Sequence, residues 1–281
     1  MKKLLTIVFV LLMGLALLTA CGESANTEEQ GNNGTEGTEG TEETVDNSLQ
    51  SVLDSGVLRV GMCPEYPPFE SIDEQNNIVG FDPALAQAIG EEMGVEVECL
   101  NIPWESLIAG LNNGDFDVIM SAMSPEEATA ATDAVELSEN YYVLADVIVV
   151  MADNDEITCK EDLAGKVVGV QDACAATTAA ESLADMGIEV AKLNHYTRNV
   201  DAYADMKNGN IEAIVVGATY AKAQAANNPE FKVIDDPIQA PGICMVAKKG
   251  AVELIDAMEE ALAVLQENGT YAQIENEWLA Q

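Results

Sequence analysis

Basic residues are scarce in this chain: 12 lysines and arginines stand against 49 acids, for a formal charge of −37. A phosphate backbone attracts a basic face, so the composition argues against nucleic acid and anionic lipid headgroups as partners. One histidine, His195, excludes a histidine-rich metal centre. Six cysteines are present; setting Cys21 aside leaves Cys63, Cys99, Cys159, Cys174 and Cys244. An odd number without close pairs excludes a complete disulfide framework and matches no common zinc spacing. Long apolar runs are confined to the start of the chain.

That start carries Lys2 and Lys3, an apolar run from Leu4 to Leu18, and then Leu18-Thr19-Ala20-Cys21. The run is too short for a stable membrane span, and residues 1–20 read as a secretory signal. Cysteine directly after Leu-Thr-Ala resembles the bacterial lipobox. The resemblance implies that Cys21 becomes a diacylated mature N-terminus, with palmitate-type chains, on the extracellular face of the cell membrane. Each buried methylene adds about 0.8 kcal/mol to such an anchor. Free thiols in an exported chain point to a low-oxygen setting. Residues 21–47 read as a tether: Gly-Thr-Glu occurs three times over Gly34–Glu42, acids abound, and almost nothing is apolar. A segment of that composition does not bury enough surface to fold, and its like charges extend it.

From Ser48 onward the chain is long enough for two modest lobes. Strand Val57–Met62 is followed by a helix Pro83–Met93 with Asp82 as its N-cap, proline at its first position and Gly94 at its end. Then come strand Val95–Leu100, helix Glu105–Asn112 and strand Phe116–Met120. Ala145–Met151, apolar except for Asp146, reads as the first crossing to a second lobe. There, strands are expected at Lys166–Gln171, Glu189–Asn194, Ile211–Val216 and Lys232–Ile234. Helices are expected at Ala175–Met186, Ala202–Asn208 and Thr219–Ala226. Such alternation makes parallel sheets with right-handed crossovers. The expected architecture is α/β and two-lobed, with residues 48–149 plus 240–281 as lobe one and 150–239 as lobe two. Two hinge strands join two parallel-core sheets around a cleft.

Several segments, taken together in order and spacing, resemble the family 3 extracellular solute-binding proteins, the polar amino acid receptors of ABC importers. They are Tyr66-Pro67-Pro68-Phe69, Gly80-Phe81-Asp82, Trp104 before Leu107-Ile108, and Gly114-Asp115-Phe116-Asp117-Val118-Ile119. Asp162-Leu163-Ala164-Gly165-Lys166, Gly209-Asn210-Ile211-Glu212-Ala213 and Asn268-Gly269-Thr270-Tyr271 continue the pattern. The resemblance implies a periplasmic-binding-protein-like fold of type II and a ligand sandwiched by Tyr66 and Trp104, with Phe69 nearby. Flat amphipathic rings suit that task, adding about 0.5–2 kcal/mol for an ammonium. It also implies that Ser121, Ala122, Met123 and Ser124 bind the ligand's head group. In lobe two, Gln171, Cys174 and Ala175 occupy a helix N-terminus suited to a carboxylate. Glu70 is expected to face solvent.

Three departures from the family pattern bear on the ligand. The arginine that clamps an α-carboxylate lies in a Thr-Pro-Glu-Arg stretch, whereas here Ser124-Pro125-Glu126-Glu127 and the residues to Thr132 contain no base. The aspartate that pairs with an α-amino group falls on Gly217, and an acidic residue of the first loop falls on Cys63. Losing a bidentate arginine–carboxylate contact costs roughly 2–5 kcal/mol unless it is replaced. Arg198, at the cleft end of a strand, is a candidate replacement anion anchor. The sequence thus points to a monomeric, lipid-anchored receptor that passes a small polar solute to an ABC permease and ATPase, without cofactor, metal or catalysis. The solute expected is an amino acid or a derivative with a different head group. A ligand sensor of the same fold and an exported cyclohexadienyl dehydratase are the alternatives.

Overall fold

The computed structural model describes residues 46–279. The signal sequence, Cys21 and nearly all of the expected tether lie outside the described residues. Asp46 and Asn47 are within them, and they are docked on the first lobe: the Asp46 carboxylate accepts from Ser48 N at 2.8 Å and from Glu253 N at 2.7 Å.

Lobe one opens with α1 (Ser48–Ser55) and β1 (Val57–Met62), then a small hairpin sheet of β2 (Glu65–Tyr66), β3 (Glu70–Ile72) and β4 (Ile78–Val79). After α2 (Phe81–Met93) come β5 (Glu96–Asn101), a 3₁₀ turn at Trp104–Ser106, α3 (Leu107–Asn113), β6 (Val118–Ile119), α4 (Pro125–Ala131) and β7 (Val135–Val143). Lobe two holds β8 (Asp146–Met151), a 3₁₀ turn at Lys160–Leu163, β9 (Val167–Gln171), α5 (Ala175–Ser182) and β10 (Lys192–Tyr196). It continues with α6 (Asn199–Lys207), β11 (Ala213–Gly217), α7 (Ala218–Asn227) and β12 (Phe231–Gln239). The chain returns through β13 (Gly242–Lys248) and finishes lobe one with α8 (Val252–Asn268) and α9 (Thr270–Trp278).

Each lobe is a five-stranded sheet with helices on both faces. The orders are β5-β1-β6-β13-β7 and β10-β9-β11-β8-β12. The first three strands of each order are parallel, in register Val57↔Glu96 and Val60↔Val118 in lobe one, Lys192↔Val167 and Ala213↔Val168 in lobe two. The remaining pairings are antiparallel. On one face of the first sheet Leu85, Ile89, Ile255 and Met258 from α2 and α8 pack on Leu58 and Val60; on the other, Leu107 and Leu111 of α3 surround Phe116. Strands covered on both faces read as continuous apolar runs, which is what β8 (Val147 to Val150) and β13 show.

Two short connectors join the lobes, Leu144-Ala145 and Ala240-Pro241. They lie side by side, with Leu144 N donating to Pro241 O at 2.9 Å. Because β8 belongs wholly to the second sheet, the first crossing falls at Leu144-Ala145 and not at the expected boundary after residue 149. A second difference concerns Asp82. It is not an N-cap: α2 starts at Phe81, two residues earlier than expected, behind Gly80, whose φ of 143° and overlap of any Cβ with the Phe69 carbonyl leave room only for glycine. Asp82 is 0 % exposed, its side chain turned into the lobe.

Candidate ligand-binding site

The site forms where the β1, β3 and β6 ends of lobe one meet the start of α5 and the end of β11 in lobe two, with the connectors as its floor. In an open α/β sheet this is the position at which loops converge on a solute. The space between the lobes spans about 690 Å³ when the solvent at its mouth is counted.

On the lobe-one side, Cys63 N donates to Ser121 Oγ at 3.0 Å, and that hydroxyl donates to Glu70 Oε1 at 2.8 Å. Glu70 is therefore not solvent-facing as expected; it is 1 % exposed. Burial and the adjoining Asp82 carboxylate push the Glu70 pKa well above the usual carboxylate range. Asp82, raised by burial to about 6, accepts from Ala122 N at 2.7 Å and Tyr141 Oη at 2.9 Å. Those two donors stabilise the charge on Asp82. Glu70 keeps the pair's proton, and Oε2, which accepts no hydrogen bond, is the oxygen free to carry it.

The Ser124-Pro125-Glu126-Glu127 stretch begins α4 with a reciprocal cap. Glu127 N donates to Ser124 Oγ at 3.2 Å, and Ser124 N donates to Glu127 Oε2 at 2.5 Å. The other carboxylate oxygen crosses the cleft: Glu127 Oε1 accepts from Ala175 N at 2.5 Å. Ala175 is the first residue of α5. A lobe-one side chain therefore occupies the helix N-terminus that the sequence assigned to a ligand carboxylate, where free N–H groups and the dipole favour an anion. Burial raises the Glu127 pKa to about 7.

Three more contacts join the lobes. Trp104 Nε1 donates to Ala173 O at 3.1 Å. The Tyr66 ring stacks on Tyr220, centroids 4.6 Å apart and planes 1° from parallel. At the exposed rim Arg198 Nε pairs with Glu65 Oε2 at 2.9 Å. Between them Asp146, 3 % exposed, takes one hydrogen bond from Gln239 Nε2 to Oδ2 at 3.1 Å. Burial raises its pKa to about 6. Among the described residues no side chain or backbone group donates to its Oδ1.

From the sequence-derived set, Cys63, Tyr66, Trp104, Ser121 and Ala122 line the cavity from lobe one, and Gln171, Cys174 and Ala175 from lobe two. The others sit elsewhere. Phe69 and Met123 are core residues of lobe one. Ser124 is fully buried as the α4 cap. Gly217 lies behind Tyr66, where any Cβ would overlap the Tyr66 hydroxyl and crowd Leu144. Arg198 does not face the cavity: as the residue before α6 it projects to the rim, and Glu65 neutralises it. Asp172 meets His195 at the surface, Oδ1 to Nδ1 at 3.1 Å. Sequence reasoning passed over Glu127, Asp146 and Asn199 as lining residues. Signals existed for two: Ser-x-x-Glu marks a capping box, and Asp146 interrupts an apolar strand, where a buried acid needs a reason. No group of three or more His, Cys, Asp or Glu among the described residues is placed to hold a metal ion.

Two lobes closing on a shared cavity at their sheet ends define a solute-binding protein. The sequence profile of the bacterial extracellular solute-binding proteins, family 3, matches residues 58–281, and the chain belongs to that family. Similar proteins include the ABC transporter arginine-binding protein 1 of Escherichia coli K12, 29 % identical, covering 80 % of this chain and 91 % of that protein. A probable histidine-binding protein of Campylobacter jejuni is 30 % identical over 82 % of this chain and 80 % of its own length. Among solved structures, an ancestral arginine-binding protein bound to arginine is 31 % identical, with a TM-score of 0.72 over 79 % of this chain and 98 % of that one. The ancestral amino acid-binding protein AncCDT-1, a precursor of cyclohexadienyl dehydratase, is 28 % identical, with a TM-score of 0.73 over 83 % and 99 %.

Proposed function

We propose that this protein captures a small polar solute of amino acid size, an amino acid or a derivative, and delivers it to an ABC importer. It does so from the outer face of the membrane, anchored through acylated Cys21. The observation that carries the reading is the cavity lined by both lobes at paired crossings, with Tyr66, Trp104 and the start of α5 on its walls. A solute touching both lobes favours the closed form, and a permease that recognises that form receives loaded receptor. The relatives that bind arginine and histidine support the solute class. No described helix is long and apolar enough to cross a membrane.

The test is a thermal-shift screen of the mature chain against amino acids, their amines and small organic acids. A ligand at a hundredfold excess over its Kd adds about 2.7 kcal/mol of stability. A screen in which no small solute raises the melting temperature removes the reading. For the anchor, Cys21→Ser expressed in a bacterial host is expected to move the protein from the membrane fraction to the soluble exported fraction.

A further inference from the structure

The carboxyl groups around the cavity, with Glu70 the protonated member of its pair, face no base within it. Glu65, Glu70, Glu127 and Asp146 line it, and no lysine, arginine or histidine does. Arg198 is engaged with Glu65 at the rim. A ligand carboxylate entering this space would meet no cation. It would also find its helix N-terminus taken, because Glu127 already receives the Ala175 N–H. Asp146, by contrast, is almost fully buried with Oδ1 unpartnered among the described residues, at the junction of the two crossings. Burying a carboxylate without a counter-charge is costly, and a positive group of the ligand removes that cost. Tyr66 and Trp104 supply aromatic walls of the kind that attract ammonium and guanidinium groups.

We propose that the ligand is an organic cation lacking an α-carboxylate, an amine or guanidine whose positive group is bound by Asp146 beside the Glu127 carboxylate. The proposal rests on the solute-receptor reading and narrows its ligand class. Glu127 plays the part of a tethered carboxylate: it joins the lobes as the ligand's own carboxylate would. Asp146 sits in β8, paired with Gly217 and Gln239. It lies next to the position where the family pattern has an aspartate and this chain has none.

The experiment compares each amine with its own amino acid by calorimetric titration of the mature chain: histamine against histidine, 1,5-diaminopentane against lysine, 4-aminobutylguanidine against arginine. At least one amine is expected to bind at least tenfold more tightly than its carboxylated parent. Asp146→Asn is expected to weaken that amine at least tenfold while the variant keeps the wild-type circular dichroism spectrum. Should Asp146→Asn fail to fold, a crystal structure of the wild-type protein with that amine serves instead; its positive group is expected within hydrogen-bonding distance of the Asp146 carboxylate, and a positive group placed away from Asp146 overturns the assignment. If the amino acids bind as tightly as their amines or more so, the cation assignment falls and the receptor reading stands. If neither member of any pair binds while another solute does, the assignment again falls alone. If nothing binds at all, both fall. Unchanged amine affinity in Asp146→Asn overturns the role given to that residue.

Discussion

At the level of single residues, the two most informative positions are Gly217 and Glu127. Gly217 has an ordinary φ of −57°, so glycine is not needed there for backbone conformation. It is needed for space, because the Tyr66 hydroxyl lies where a Cβ would go. Absence of the family aspartate and inward placement of Tyr66 onto Tyr220 are thus one change seen from two sides. Gly217→Asp is expected to displace Tyr66 and to destabilise the protein by about 1–3 kcal/mol through overpacking. Urea denaturation measures it, and in the Tyr66→Ala background the same substitution is expected to cost less. Equal costs in both backgrounds would show that the two positions do not share the space.

Among the elements, α4 and α5 matter most, since one carboxylate serves both. Ser124→Ala removes the hydroxyl acceptor of the α4 cap and is expected to cost about 1 kcal/mol, read from the denaturation midpoint at constant m. A change of only a few tenths would mean that Glu127 alone holds the helix start. Glu127→Ala is expected to act differently. It removes the acceptor shared by Ser124 N and Ala175 N, so the lobes lose a cross-cleft bond. The radius of gyration of the unliganded protein in small-angle scattering is expected to rise, and an unchanged value would remove the latch role. Much at this scale could be read from the sequence. The alternation of strands and helices, the stops at Gly94 and Gly114 and the apolar runs of β8 and β13 follow from periodicity and backbone sterics, which are local. The hairpin of β2 to β4 escaped because its strands are two or three residues long and have no periodicity to read. Arg198 was placed as an anion anchor because β10 was expected at 189–194. The strand runs from Lys192 to Tyr196, which leaves Arg198 directly before α6. Cross-cleft pairings such as Glu127 with Ala175 join residues far apart in the chain, and no local pattern encodes them.

For the molecule as a whole, the buried acids set the response to pH. Glu127 is raised to about 7, Asp146 and Asp82 to about 6, and Glu70 well above its usual value, each first by burial. A carboxyl with a raised folded-state pKa binds its proton more tightly folded than unfolded. Its contribution is full below the unfolded value, near 4, and is lost as pH climbs through the folded value. Opposing it, Asp46, Asp73, Asp162, Asp205 and Asp236 are lowered by hydrogen bonds, with a stabilisation lost on the acid side of about 4. The melting temperature of the unliganded protein is therefore expected to peak near pH 5 and to fall toward pH 8. Each proton that the native state holds and the unfolded state has released changes stability by about 1.4 kcal/mol per pH unit. Calorimetric melts in a common-ionic-strength buffer series measure the slope, and a flat or rising curve from 5.5 to 8 would refute it. A bound cation reverses part of this trend. Glu127 is faced by Asp146 and Cys174, and Asp82 by Glu70; Lys248 ends β13, which packs against α4, but its ammonium donates to Asn112 O. A ligand ammonium would then be the nearest positive charge, favouring the ionised acids and releasing protons on binding. Amine affinity is accordingly expected to strengthen as pH rises from 5.5 to 7.5, with proton release visible as a buffer-dependent binding enthalpy. A ligand without net positive charge would weaken or stay level over the same range, so the direction of that one titration series separates the two classes.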